Sequence, residues 1–283
     1  MLKTGLVLEG GGVRGIYSAG VLDVFMENGI TFDGVIGVSA GAIHGISYMS
    51  NQKGRSIRYY KKYSKHPDFM SMRSFIKTGN VVGVDFCYHE LPDKLDLYDH
   101  YAFQRTKVPF YATCTNVETG EAEYIRVTDA RRQIDYIRAS ASLPYLSRIV
   151  EIDGKKYLDG GCSDGIPVEA FMKMGYERNV LILTRPADYV RNPEKTSLAK
   201  FAYRKYPAFV KTLCERHIKY NETIKRIAEL EKEGKAFVIR PEKTLDIGRL
   251  ENDPEKIQAI YDIGYADGEK YIEEMKKWLS ENN

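Results

Sequence analysis

Ser39 lies in Val35-Ile36-Gly37-Val38-Ser39-Ala40-Gly41, with Gly37 and Gly41 two positions to either side. Val35 to Val38 continue an apolar run from Phe32 and read as a buried strand, whereas Ala40 to Met49 (AGAIHGISYM) carries apolar residues at helical spacing. A strand that turns abruptly into a helix leaves little room for side chains beside the turn. Glycines there let the backbones pass and leave the hydroxyl projecting outward. Ser39 is therefore the candidate nucleophile, and the alternative is a buried serine in a close-packed turn.

A serine hydroxyl needs a base at neutral pH. His44 is five residues beyond Ser39 on the same helix and is expected to point away from it. His66, His89 and His100 fall in polar, loop-like sequence, and His217 in a charged helical stretch. An aspartate fits better. Ile149 to Ile152 and Lys155 to Leu158 read as a hairpin around an Asp153-Gly154 turn. The second strand ends at Asp159, just before Gly160 and Gly161, and Asp164-Gly165-Ile166-Pro167 opens a helix over Val168 to Met174. Asp153 and Asp164 thus have turn or cap duties. Asp159 stands at a strand exit, where α/β folds place chemistry, and its alternative is a capping role.

A third motif opens the chain. Gly5 to Glu9 reads as a strand running into Gly10-Gly11-Gly12-Val13-Arg14-Gly15, then a helix over Ile16 to Asn28 that stops at Gly29. The uncovered N–H groups of Gly10, Gly11 and Gly12, with the positive charge of Arg14 nearby, suit a developing oxyanion. Gly10, Gly12 and Gly15 also satisfy the Gly-x-Gly-x-x-Gly fingerprint of a dinucleotide-binding oxidoreductase. That reading needs an acidic residue at the end of the second strand, where this chain has Gly37-Val38-Ser39, and Asp33 precedes the strand.

In that order, the glycine loop with its basic residue (Gly10 to Gly15), the Gly37 to Gly41 elbow and Asp159-Gly160-Gly161 resemble the patatin-like phospholipase family. The resemblance reaches from about Gly5 to about Thr184. It includes Ala139-Ser140-Ala141-Ser142-Leu143-Pro144, similar to a helix-ending segment of the family. It implies an α/β/α three-layer sandwich and hydrolysis of lipid acyl esters by a Ser-Asp dyad with no histidine, and the sequence itself offers no metal site and calls for no cofactor. Ser39 is then the nucleophile, Asp159 the base, and Gly10, Gly11, Gly12 and Arg14 the oxyanion site, with Gly15, Gly37, Ala40, Gly41, Gly160 and Gly161 in support. Glu9 stands where the family often has aspartate, and Ser147-Arg148 where many members have proline. A non-catalytic lipid-binding member of the fold is the further alternative.

With 283 residues and no linker-like or repetitive stretch, the chain reads as a single domain. Its catalytic core spans about 5–184. Its extension over about 185–283 has charged helical sequence to Gly234, a strand at Ala236 to Arg240 and a helix from Pro254 to Leu279. Phe110 to Asn116 and Ala122 to Val127 read as a second hairpin.

The four cysteines, Cys87, Cys114, Cys162 and Cys214, are widely spaced and fit reduced thiols rather than disulfides or zinc. Met1-Leu2-Lys3 leads directly into the first strand and no apolar run reaches membrane-spanning length, so the expectation is a cytoplasmic protein. Net charge is only +3, yet Arg55 to Lys65 (RSIRYYKKYSK) and Lys200 to Lys211 (KFAYRKYPAFVK) interleave cations with aromatics. That pattern fits contact with an anionic membrane at its inner face. Nucleic acid is the competing partner, and a solvated helix face over packed tyrosines is the plain reading.

Overall fold

The computed structural model describes residues 2–281. Its strands are β1 (Thr4–Leu8), β2 (Gly34–Val38), β3 (Phe110–Asn116), β4 (Ala122–Val127), β5 (Val150–Ile152), β6 (Lys155–Asp159), β7 (Arg178–Ile182) and β8 (Ala236–Ile239). The helices are α1 (Ile16–Glu27), α2 (Ala40–Met49), α3 (Arg55–Tyr63), α4 (Met72–Thr78), α5 (His100–Arg105), α6 (Ile134–Ser140), α7 (Val168–Lys173), α8 (Thr196–Ala202), α9 (Pro207–Lys232) and α10 (Pro254–Ser280). A π-helical stretch, Phe86–Leu95, precedes α5.

Successive strand residues point to opposite faces, and in β1 Leu6, Val7 and Leu8 are all fully buried, so both faces of the sheet must be covered. Leu6 and Leu8 join Val35, Val180 and Ile182 in a core capped by α1 and α10, while Val7, Ile36 and Leu181 pack with Phe171 of α7 and Ile227 and Leu230 of α9. The result is a three-layer α/β/α sandwich with strand order β5-β6-β3-β2-β1-β7-β8, β4 pairing on β3. The run β3-β2-β1-β7-β8 is parallel. Helix α10 lies against α1, tied by Tyr17 donating to Asp267 at 2.7 Å and Tyr261 donating to Asp23 at 2.6 Å.

One feature of the sheet positions the site. A strand has two hydrogen-bonding edges, and β4 takes one edge of β3 over Phe110 to Thr115. Strands β2 and β6 must therefore share the other. Strand β2 runs parallel along it as far as Val38 opposite Thr113, and β6 runs antiparallel until Asp159 lies opposite Cys114. The two carboxyl ends thus meet on adjacent rungs, with Ser39 just past one and Asp159 closing the other. Both hairpins expected from the sequence are present. Asp153 and Gly154 have φ values of 51° and 77°, as a two-residue turn with left-handed residues requires.

Candidate active site

Ser39 has φ 55° and ψ −121°, a backbone conformation that L-residues rarely adopt and that typically stores about 1–3 kcal/mol. Its surroundings permit nothing else. A Cβ at Gly41 would collide with the Leu8 carbonyl oxygen, and one at Gly37 would lie 2.7 Å from the Ala42 nitrogen. The Ser39 N–H donates to Ser140 Oγ at 2.9 Å, and the Ser39 carbonyl accepts from Ala42 at 3.0 Å and Ile43 at 3.1 Å to start α2. Ala40, the first residue of that helix, packs beneath Gly15.

Asp159 is 2% exposed. Its Oδ1 accepts the Gly161 N–H at 2.8 Å, the capping role, and its own N–H donates to the Ser142 carbonyl at 2.8 Å. Its Oδ2 is buried without a well-formed hydrogen bond, and the Ser39 hydroxyl is the side-chain donor that bears on the carboxyl. Burial raises the Asp159 pKa above the ordinary carboxylate value, and Arg216, then the Ser39 hydroxyl and the Gly161 N–H, draw it part of the way back. One oxygen of the same carboxylate therefore caps, and the other is buried with no hydrogen-bond partner. Gly160 is pressed so closely on the Thr113 carbonyl that no side chain fits there.

The glycine loop passes beside Ser39, since a Cβ at Gly10 would lie 3.1 Å from that of Ser39. Gly11 faces Thr184, and Gly12, at φ 58°, abuts the backbone of Arg249, whose carbonyl accepts from Val13 at 3.2 Å. Arg14 is buried and its Nε has no partner; desolvation, then repulsion from Arg185 and Arg249, pushes its pKa down to about 10. Glu9 is a buried brace. It accepts from the Thr184 N–H at 2.6 Å and from the Tyr220 hydroxyl at 2.8 Å, and burial raises its pKa.

Two cavities meet at Ser39. One is apolar, lined by Val13, Ile43, Tyr60, Phe69, Leu91 and Ile137 among others. The other is polar and contains Glu9, Arg14, Asp159, Arg185, Arg191, Arg216, Tyr220 and Arg249. Ser39, Gly12, Leu143 and Arg249 line both. An ester at Ser39 could thus lay an apolar tail in one and a charged group in the other. Ser140, Arg216 and Arg249 were not singled out from the sequence. Ser140 lies inside the Ala139 to Pro144 segment, but nothing local signals that its hydroxyl would receive the elbow N–H.

No histidine hydrogen-bonds to Ser39 or Asp159 among the described residues. His44 is buried with Nδ1 2.9 Å from Ser56 Oγ, and burial pushes its pKa down to about 3. His66 stacks on Phe86 with ring centroids 4.3 Å apart. His89 and His100, expected in loops, lie in the π-helical stretch and at the start of α5. Those turns pack Phe86, Tyr88, Leu91 and Phe103 into the core, which the polar residues between them conceal in the sequence.

The first basic-aromatic run is structural at its start. Arg55 is 4% exposed and stacks over Tyr59 and Tyr98 at 5.3 and 5.2 Å, and Arg58 makes a two-pronged bond to Asp96 at 2.6 and 2.9 Å. Packing α3 against α10 and α1 leaves Arg58, Lys61, Lys62 and Lys65 of that run exposed to solvent.

A family model described as patatin-like phospholipase matches residues 6–172, and a second, described as a domain of unknown function (DUF6363), matches residues 206–280. The chain is 33% identical over 197 residues to the uncharacterized protein YjjU of Escherichia coli (strain K12), covering 68% of this chain and 55% of that protein. It is 24% identical over 297 residues to neuropathy target esterase sws of Drosophila melanogaster, covering 96% of this chain and 20% of the esterase. It is 29% identical over 204 residues to lysophospholipase NTE1 of Cryptococcus neoformans, covering 66% and 12%. The chain therefore spans about half of the first relative and a fifth or less of the other two. Because the first model covers more than half of the sequence and contains the glycine loop, the elbow and the Asp159 turn, the chain belongs to the patatin-like phospholipase family.

Proposed function

We propose that the protein hydrolyses acyl esters of lipids through a Ser39–Asp159 dyad and an acyl-enzyme. The observation that carries this is the buried Asp159 carboxyl, with Oδ2 unpartnered and the Ser39 hydroxyl bearing on it, beside a serine held at φ 55° where an apolar and a polar cavity meet. Ser39 Oγ attacks the acyl carbonyl as its proton passes to Asp159, whose raised pKa makes it a better base than an exposed aspartate. The carbonyl oxygen becomes an oxyanion beside the N–H groups of Gly10, Gly11 and Gly12, the Arg14 guanidinium and the positive amino end of α2. Collapse breaks the bond to the alcohol, which leaves with the proton. Water, deprotonated by Asp159, then attacks the acyl-enzyme and releases the fatty acid and Ser39. A carboxylate has no tautomer to fix, so no third residue is required in the manner of a histidine triad. The family and the lysophospholipase relative support the substrate class. A fluorophosphonate should add covalently to the peptide carrying Ser39, read by mass spectrometry; folded protein left unlabelled at Ser39 would overturn the assignment.

The proposal includes access to the substrate at an anionic bilayer. Among the described residues no helix is long and apolar enough to cross a membrane, so a bilayer lipid has to be reached from its surface. Helix α8 suits this. Leu198 is 53% and Phe201 74% exposed, with Lys195, Lys200, Arg204 and Lys205 exposed around them. Apolar side chains could enter the interface while the cations hold anionic headgroups, each worth about 1 kcal/mol. Phosphatidylglycerol vesicles should sediment the protein better than neutral ones, and less well at high salt. Phe201→Ser should weaken that binding about tenfold or more, by the apolar burial it removes. Sedimentation indifferent to lipid charge and to Phe201 would return α8 to an ordinary solvated helix.

A further inference from the structure

The polar cavity beside Ser39 holds more positive charge than the dyad needs. Arg14 comes from the glycine loop, Arg185 and Arg191 from the segment after β7, Arg216 from α9 and Arg249 from the segment before α10. Facing these five guanidinia are three carboxylates. Glu194 pairs with Arg191 at 3.3 Å and Arg216 at 3.5 Å, while Glu9 and Asp159 are committed to the hydrogen bonds described above. Among the described residues, Arg14, Arg185 and Arg249 have no carboxylate oxygen within 4.0 Å. Arg14 is also more than nine-tenths buried with its Nε unpartnered, and it lines the cavity.

Arg14 is a buried cation without a paired carboxylate, which is costly, and four more arginines, three partly buried and Arg249 exposed, converge on the same cavity, so the wall calls for an anion. Guanidinium forks match phosphate oxygens two at a time. With Glu9, Asp159 and Glu194 all ionised, the five arginines leave a surplus of two positive charges, the opposite of the roughly −2 that an unsubstituted phosphomonoester approaches at neutral pH. A zwitterionic choline or ethanolamine headgroup would instead bring a cation among the arginines.

We propose that this cavity is a phosphate subsite which selects acyl esters carrying a terminal phosphomonoester, and that the C-terminal segment supplies Arg216 and Arg249 to build it. The inference rests on the acyl-hydrolase reading, because the subsite opens onto Ser39 opposite the apolar cavity. The ester is then held at the serine with its tail on one side and its phosphate on the other.

Binding can be measured without turnover in Ser39→Ala protein, by calorimetric titration with three probes: 1-oleoyl lysophosphatidic acid, 1-oleoyl lysophosphatidylcholine and inorganic phosphate. The phosphomonoester lipid should bind at least about tenfold more tightly than the choline lipid, and more tightly than inorganic phosphate. Arg185→Gln or Arg249→Gln, each added to Ser39→Ala, should lower the ratio of the two lipid affinities about tenfold; a ratio taken on one protein cancels any general loss of folded material. Equal affinities, or a ratio unmoved in both arginine variants, would overturn the proposal. Inorganic phosphate binding as tightly as the lipid would make the cavity a free-anion site and overturn it too. Selective binding together with failed fluorophosphonate labelling would keep the phosphate subsite and remove the hydrolase reading, so the two failures are distinguishable.

Discussion

Ser39→Ala is expected to lower turnover of p-nitrophenyl butyrate by roughly 10⁴- to 10⁶-fold, the scale seen when a covalent nucleophile is removed from a serine hydrolase. The elbow should survive. Residue 39 engages Ser140 Oγ through its backbone N–H alone, and alanine at φ 55° is no more strained than serine. Melting temperature should fall by only a few degrees, since the one interaction lost is the buried hydroxyl that bears on Asp159, worth about 1 kcal/mol. A well-folded Ser39→Ala protein that still turns over the ester at the wild-type rate would place the nucleophile elsewhere.

Asp159→Asn should cost roughly 10²- to 10⁴-fold in the same assay, the usual worth of a general base. The side-chain oxygen that accepts from Gly161 is retained while the proton acceptor is lost. Wild-type activity should climb as pH rises through the raised Asp159 pKa, because only the carboxylate takes a proton, and that limb should vanish in the asparagine variant. Stability should move the opposite way. Between the ordinary aspartate pKa and the raised folded value, the folded protein keeps a proton that the unfolded chain has released, so stability falls as pH rises across this window. Asp159→Asn should therefore melt at a higher temperature than the wild type at neutral pH while being far less active. Alanine at each histidine in turn should leave most activity, and a His→Ala variant as inactive as Ser39→Ala would replace the dyad with a triad.

What was legible in the sequence is what short stretches of chain determine. Glycines two residues either side of Ser39 announced a steric constraint that the Leu8 carbonyl and the Ala42 backbone impose. Asp153-Gly154 announced a turn, and the turn placed Asp159 at a strand end. The missed elements are those whose partners are remote. Ser140 meets Ser39 across 101 positions, and its hydroxyl looks like any other at the end of a helix. The arginines of the polar cavity are dispersed from Arg14 to Arg249 and converge only when α9 and the segment before α10 fold over the carboxyl edge of the sheet. Conversely, Arg55 and Arg58 looked like free surface charge because their sequence neighbours are basic, whereas Asp96, which neutralises them, comes from the far side of the π-helical stretch.

The meeting of β2 and β6 on a single edge of β3 also sets when, during folding, the molecule can acquire a working site. The β3–β4 and β5–β6 hairpins close over short loops and can form early, as can the helices. Bringing the end of β2 beside the end of β6 requires long-range closure through β3, a slower event whose entropy cost precedes any reward. Until then Ser39 has no Asp159 beside it, and its elbow N–H has no Ser140 to receive it. The proposed dyad is thus the last part of the molecule to come together, and a refolding chain that holds most of its native secondary structure is expected to lag in esterase activity.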